Sequence, residues 1–262
     1  MKVSGLYIYP IKSLQGIALQ EVEVMEKGFK YDRRWMLVNE QNGHITQRTH
    51  PHLSQIGISL TNESIIASHS NMPDLKIPIT LKSGKSIHVT VWADSVEAIE
   101  ATQSISDWFS KIAGEPCKLV FMPEDGSRPV NPDQAINGEN VSFADGYPYL
   151  IIGQASLDDL NSRMEVELPM NRFRPNIVVA GCEPYEEDHW NDIQIGNVKF
   201  HVTHPCTRCV FTTIDQETGK KAAEPLKTLA TYRREGKGVI FGVNTLALET
   251  GTIKVGDKVE LQ

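Results

Sequence analysis

The sequence predicts a mainly β protein, α+β in detail, with antiparallel barrels and a few helices on their outside. Three observations lead there. Apolar residues alternate with polar or small ones in many short segments, Gly, Pro and Asn-Gly punctuation separates them, and only three segments carry helical periodicity. Residues 2–9 (KVSGLYIY) alternate and stop at Pro10, which marks a strand. MLVNEQNGHITQ reads as a hairpin that runs through Met36–Val38 and turns at Asn42-Gly43. LKSGKSIHVTVW (81–92) reads as a second hairpin turning at Ser83-Gly84. In ISDWFSKIAG, residues Ile105, Trp108, Phe109 and Ile112 fall at i, i+3, i+4 and i+7, the apolar stripe of a helix that Gly114 ends.

Residues 123–140 (PEDGSRPVNPDQAINGEN) gather Pro, Gly, Asn and Asp, the composition of a linker or a long functional loop. They divide the chain into units 1–122 and 123–262. Beyond them, Ser156 is expected to cap a helix carrying Leu157, Leu160 and Met164, with Asp159 completing a capping box. Asn176–Ala180 (NIVVA) has the composition of a buried strand, and VKFHV (198–202) alternates. A third helix is expected after Pro225 at position N1, with Leu226, Leu229 and Tyr232 on one face. Thr252–Leu261 reads as a closing hairpin turning at Gly256-Asp257.

Composition excludes several classes. The 262 residues suit one large or two modest domains, and 40% hydrophobic residues suffice for a core. With 26 basic and 33 acidic residues, the net charge of -7 argues against a general nucleic-acid binder. No apolar run reaches the ~20 residues of a membrane span, and MKVSGLYIYPIKS lacks the apolar core of a signal peptide. Four cysteines do not make a disulfide scaffold, so a reducing, cytoplasmic setting is expected.

The densest polar segment is HVTHPCTRC. A zinc site from His201, His204, Cys206 and Cys209 is one reading, but in a strand residues 201 and 204 point to opposite faces, and no second ligand pair exists. A thioredoxin-like pair needs a helix N-terminus beneath it, whereas VFTTI is β-prone. One thiolate ligating a soft or redox metal is a third reading, and two small buried hydrophobes a fourth. Several cations along the chain sit in strand-like or Pro-punctuated settings: Lys12, Arg33, Arg34, Arg172 and Arg174, with Arg208 between the two cysteines. Such a cluster suits a phosphate-bearing ligand, although no Walker A or GxGxxG loop is present.

These motifs carry a resemblance. YIYPIKSLQG and YDRRWMLV resemble the N-terminal β-barrel domain of MOSC proteins. FADGYPYL, ASLDDLNSR, NRFRPNIVVAGC, PCTRCVFTTID, EPLKTLATYR, IFGVN and GTIKVGD resemble the MOSC domain, in order. The chain is thus similar to the YcbX-like and amidoxime-reducing-component branches of that family. The resemblance implies a β-barrel MOSC domain packed with a β-barrel-like N-terminal domain, and molybdenum cofactor (Mo-molybdopterin) as prosthetic group. It further implies Cys209 as thiolate ligand of the metal, and Lys12, Ser13, Arg33, Arg174, Asn176 and Thr207 around pterin and phosphate. Asp145, Gly146 and Tyr147 match the loop beside the metal, with Asp145 a group for proton delivery or loop ordering; Asn244 matches a position that is Tyr in some relatives. Cys182 matches a recurrent cysteine that does not bind the metal, and Cys117 has no counterpart. For the domain family as a whole, pyridoxal phosphate binding is also associated.

The implied reaction is reduction of N-hydroxylated compounds such as amidoximes. Some relatives continue into a ferredoxin-type domain; this chain stops at Gln262. Electrons are therefore expected from a separate flavin or iron–sulfur protein. The competing expectation is a carrier that holds molybdenum cofactor or sulfur on Cys209 without turnover.

Overall fold

The structure, a computed structural model, describes residues 1–262. It is mainly β, with nineteen strands and three α-helices. A nine-stranded sheet forms the centre. Its path runs Val259–Leu261, Asp192–Ile195, Val198–Thr207, Gly238–Ala247, Tyr149–Gly153, Ile177–Ala180, Lys2–Ile8 and Ile17–Leu19, and Arg234–Glu235 adds to Gly238–Ala247. Only Tyr149–Gly153 and Ile177–Ala180 pair in parallel, and a parallel pair needs a crossover, supplied here by α2 (Gln154–Ser162). A three-stranded sheet of Gly251–Lys254, Glu21–Met25 and Gly28–Phe29 closes over it. Leu6, Phe29, Tyr149, Ile193, Phe200 and Ile253 fill the space between.

A second core lies among residues 35–121. There α1 (Gln103–Ala113) buries Ile105, Trp108 and Phe109 against Trp35, Leu119 and Phe121, and Gly114 ends it in a left-handed C-cap. The sheets flanking α1 are Trp35–Asn39, Cys117–Phe121, Asp94–Glu100 and Ser86–Val91, and separately Gly57–Leu60, Ser64–His69 and Met72–Pro78.

The halves interlock. Lys2–Ile8 pairs with Ile177–Ala180, and Glu21–Met25 pairs with Gly251–Lys254, so the first 29 residues build sheets with the last 114. Residues 123–140 are an ordered loop that doubles back, with Val130 N–H on Glu139 O at 2.9 Å and Val141 N–H on Arg128 O at 2.8 Å.

Several local expectations change. The second hairpin turns at Trp92-Ala93 instead of Ser83-Gly84, because Ser86–Val91 pairs with Asp94–Glu100. Ser156 does not cap α2: the helix begins two residues earlier, and the buried Ser156 hydroxyl donates to Glu187 at 2.8 Å. The third helix, α3, spans only Leu226–Leu229, with Pro225 at its N-cap position. The closing segment turns at Gly256-Asp257, but its arms part: Gly251–Lys254 joins Glu21–Met25, and Val259–Leu261 joins Asp192–Ile195. Ile253 and Val259 are each buried there, so the arms gain more from separate sheets than from each other.

A chain beginning at residue 123 lacks the antiparallel partner of Ile177–Ala180, Lys2–Ile8, and keeps only its parallel neighbour Tyr149–Gly153. We expect it to show no cooperative thermal transition by circular dichroism, and expect one to return when residues 1–29 are fused back.

Candidate functional site

A cavity of about 320 Å³ opens where the two halves meet. Lys12, Ser13, Arg33, Asp145, Gly146, Tyr147, Arg174, Asn176, Thr207, Cys209 and Asn244 all line it. Arg48, His204, Phe173, Arg208 and Phe211 complete the walls that matter below.

The inner wall begins where Lys2–Ile8 ends. Lys12 N–H bonds Trp35 O at 2.8 Å, and the side chain turns inward until the residue is 6% exposed. Its ammonium donates to Phe143 O at 2.7 Å and to Asp145 Oδ1 at 2.5 Å. Burial pulls the Lys12 ammonium down to about 8 despite the opposing pull of Asp145. For Asp145, burial acts upward, but Lys12, Arg48 and Arg33 outweigh it and hold the carboxyl well below the usual carboxylate range. Asp145 is therefore ionised at neutral pH, and Lys12 is the protonated member of the pair.

Three non-glycine residues on this wall adopt left-handed backbone: Ser13 at φ 68°, Arg33 at 50° and Arg174 at 54°. Such conformations cost of order 1–3 kcal/mol each and persist only where the surroundings enforce them. Asp32 is the enforcing group for Arg33. Fully buried, it accepts Tyr9 N–H at 2.7 Å, Arg33 Nη1–H at 2.5 Å and Asn176 Nδ2–H at 3.1 Å. Arg33 also donates to Asn176 Oδ1 at 3.0 Å. Arg174 donates to Leu14 O at 2.6 Å and lies 3.9 Å from the Tyr9 ring centroid, with Phe211 at 5.4 Å. Burial draws the Arg174 guanidinium down to about 10, so it stays charged near neutrality.

The outer wall comes from Val198–Thr207 and Gly238–Ala247. Their register slips between Val202 and His204 and again between Pro205 and Thr207. These irregularities re-aim side chains, so His204, Cys206 and Thr207 all reach the cavity although strict alternation would send Thr207 away. Gly242 sits in the opposing strand at φ 73°, and a Cβ there would stand 2.7 Å from Ile151 O. The His204 ring packs edge-on to Tyr147 at 4.8 Å, Asn244 Nδ2 lies 3.2 Å from its Nε2, and burial lowers its pKa. Cys209 follows the strand at the exposed rim, its carbonyl accepting Thr212 N–H at 3.1 Å and its Sγ facing Arg48 Nη1 at 3.5 Å.

The two cysteines are not buried hydrophobes. Cys209 is exposed, and Cys206 is half-buried with Arg208 Nη1 at 3.2 Å. His201 is held outside the cavity by Asp192 at 2.7 Å, apart from His204. Two cations of the sequence cluster also lie elsewhere. Arg34 donates to Met122 O, Pro123 O and Glu124, and Arg172 faces Asp215 at 3.4 Å. Arg48 replaces them. Nothing in TQRTH distinguishes Arg48 from a surface charge, and Asp32 reads as an ordinary acid before two arginines.

The chain matches the MOSC domain over residues 138–260 and the MOSC N-terminal beta barrel domain over residues 1–116. It is 34% identical to mitochondrial amidoxime-reducing component 1 of Homo sapiens, covering 99% of this chain and 82% of that protein. The Mus musculus counterpart is 35% identical with the same coverage. Mitochondrial amidoxime reducing component 2 of Homo sapiens is 33% identical over 98% of this chain and 82% of its own length.

Asp32→Asn leaves Arg33 without its charge partner in a largely buried setting. Breaking a buried pair from one side costs about 3–5 kcal/mol. At roughly 2–4 °C per kcal/mol for a chain of this size, calorimetry is expected to show a midpoint lowered by roughly 6–20 °C.

Proposed function

Because this chain belongs to the MOSC domain family, with the N-terminal beta barrel domain and the MOSC domain in succession, we propose that it is a molybdenum-cofactor-dependent oxidoreductase that reduces N-hydroxylated compounds such as amidoximes. One observation carries the reading: a single interdomain cavity unites an exposed thiol, Cys209, with Lys12, Arg33, Arg48, Arg174 and Arg208 against one carboxylate, Asp145.

The residues present fit such a group. A soft thiolate is a strong ligand for a redox metal, and guanidinium with ammonium suits a phosphate. His204 Nδ1 and Arg208 Nε are buried without partners, polar atoms that a bound pterin would engage. Cys209 would ligate the metal; Lys12, Ser13, Arg33, Arg174, Asn176 and Thr207 would surround pterin and phosphate. When bound, the cofactor supplies two-electron chemistry that removes oxygen from an N–O bond.

The protein's own part is positioning and charge. Arg174, set on the Tyr9 ring, presents a fixed guanidinium. Arg33 is locked by Asp32 and Asn176 and so keeps one orientation. Lys12 holds a proton on Nζ beside Asp145 Oδ1, and Asp145 orients that ammonium instead of storing a proton of its own at neutral pH. Electrons come from a separate flavin or iron–sulfur protein that meets the cavity on its Cys209 side.

The cofactor-loaded protein, given a chemical reductant, is expected to reduce benzamidoxime. Cofactor retained without turnover would instead identify a carrier. Cys209→Ala is expected to lower the rate at least about 100-fold, beyond the 10–100-fold that outer partners of a metal cost, and to alter the molybdenum spectrum. Cys206→Ala is expected to fall short of both effects. Equal rates in Cys209→Ala and the parent would refute the assignment.

Lys12 also sets a pH dependence. With its pKa near 8 in the fold, the ammonium is charged below that pH and neutral above it. Sulfate, whose charge is constant across this range, is expected to bind the cofactor-free protein more weakly as pH rises from 7 to 9. Titration calorimetry on Lys12→Gln is expected to show weaker binding at pH 7 and a flatter dependence.

A further inference from the structure

Trp92 has no role in the reading above, yet it is conspicuous. It forms the turn between Ser86–Val91 and Asp94–Glu100 at φ 57°, an unusual conformation for a bulky residue. It is 51% exposed, whereas Trp35, Trp108 and Trp190 are 1%, 6% and 6% exposed. Burial of its ring therefore does not explain the strain.

Its contacts lead to the cavity rim. The indole Nε1–H donates to Asp145 Oδ1 at 3.3 Å, and the Arg48 guanidinium lies 4.3 Å from the ring centroid. Arg48 in turn stands 3.5 Å from Cys209 Sγ and 3.9 Å from Asp145 Oδ2. The His44 ring supports the indole at 5.2 Å. The turn is also fastened from beneath. Asp94, two residues on, accepts Arg128 Nε–H at 2.8 Å, and the buried Arg128 donates to Asp145 O at 3.0 Å. The same turn thus holds the carboxylate of Asp145 through Trp92 and its carbonyl through Arg128. A large, partly open aromatic surface is thus fixed at the cavity rim, one guanidinium (Arg48) away from Cys209, the exposed thiol of the cavity.

We propose that Trp92 determines substrate class: it is a preorganised stacking platform that favours N-hydroxylated compounds bearing a planar aryl group over small aliphatic ones. The proposal rests on the reductase reading above. A fixed ring loses little freedom when a planar group stacks on it, so the contact passes directly into binding. A purely structural turn would have no such preference, because its loss would affect both substrate classes alike.

Two variants separate these roles. Trp92→Asn removes the ring and tolerates the left-handed turn, since Asn enters that region readily. Trp92→Phe keeps a ring but loses the Nε1–H. In the cofactor-loaded full chain, the preference for benzamidoxime over acetamidoxime in kcat/KM is expected to fall about 2- to 12-fold in Trp92→Asn, the span of one aromatic pair, through KM for the aryl substrate. Trp92→Phe is expected to retain most of the preference. An unchanged preference in Trp92→Asn overturns the proposal. Fluorescence supplies a second readout, because Trp92 is the one solvent-exposed tryptophan. Benzamidoxime is expected to quench a component of the emission that Trp92→Phe lacks, and acetamidoxime to leave that component intact. Absence of such quenching also overturns the proposal. If the parent reduces neither amidoxime, the reductase reading fails by itself, and the quenching still decides for or against the platform.

Discussion

A carboxylate with no exposed surface holds this molecule's site together. Asp32 meets the backbone of Tyr9, the guanidinium of Arg33 and the amide of Asn176, three groups from two distant parts of the chain. Each depends on the others. Without Asp32, Arg33 would be a poorly solvated cation in a strained conformation, and Asn176 would lose the partner that fixes which way its amide faces. Asn176 also bonds Tyr7 O and Leu150 N–H, so the polar cluster is stitched directly into the central sheet. The cavity wall is therefore as rigid as the sheet behind it.

A second buried join acts further out. Gln47 and Gln216 exchange amide hydrogen bonds at 3.2 and 2.9 Å, and Gln47 also donates to Ser13 O at 2.7 Å. This fixes the left-handed Ser13 to both halves of the chain. Buried amides in such a reciprocal pair leave few polar atoms unmatched, which is why they are tolerated in an otherwise apolar interior. The strain at Ser13, Arg33 and Arg174 is thus distributed over a network of polar contacts instead of resting on any one of them.

Much of the fold was legible because period-two alternation and local punctuation are written within a few residues. KVSGLYIY, NIVVA and VKFHV became strands, and the Ile105–Ile112 stripe became α1. Partnership was not legible, because it depends on segments far apart. Thr252–Leu261 has the pattern of a hairpin, yet its arms find better apolar neighbours in different sheets. The turn at Trp92 is not legible in the sequence because local propensity opposes a bulky left-handed residue there. At the site, the cations and the PCTRC cysteines are legible from type and context, whereas Ser13, Asp145, Asn176, Thr207 and Asn244 are indicated only by the family resemblance; the structure brings Lys12, Arg33, Arg174, Arg208 and both cysteines together with these around one cavity. Arg48 and Asp32 were not readable: their importance comes from Cys209 and from Arg33 with Asn176, contacts that exist only after folding.

The placement of the first strand has a consequence for how the chain is made. Ser4 donates to Val178 O, 174 positions further along the chain, so the first strand to leave the ribosome waits for one of the later ones. At 5–20 residues per second, that interval is roughly 9–35 s. Until then Lys2–Ile8 has only its local partner Ile17–Leu19, and the edge that will join Ile177–Ala180 stays unpaired. The nascent chain must therefore tolerate a half-paired apolar strand while residues 35–121 complete their own core. The cavity, whose lining runs as far as Asn244, can form only after translation is nearly finished.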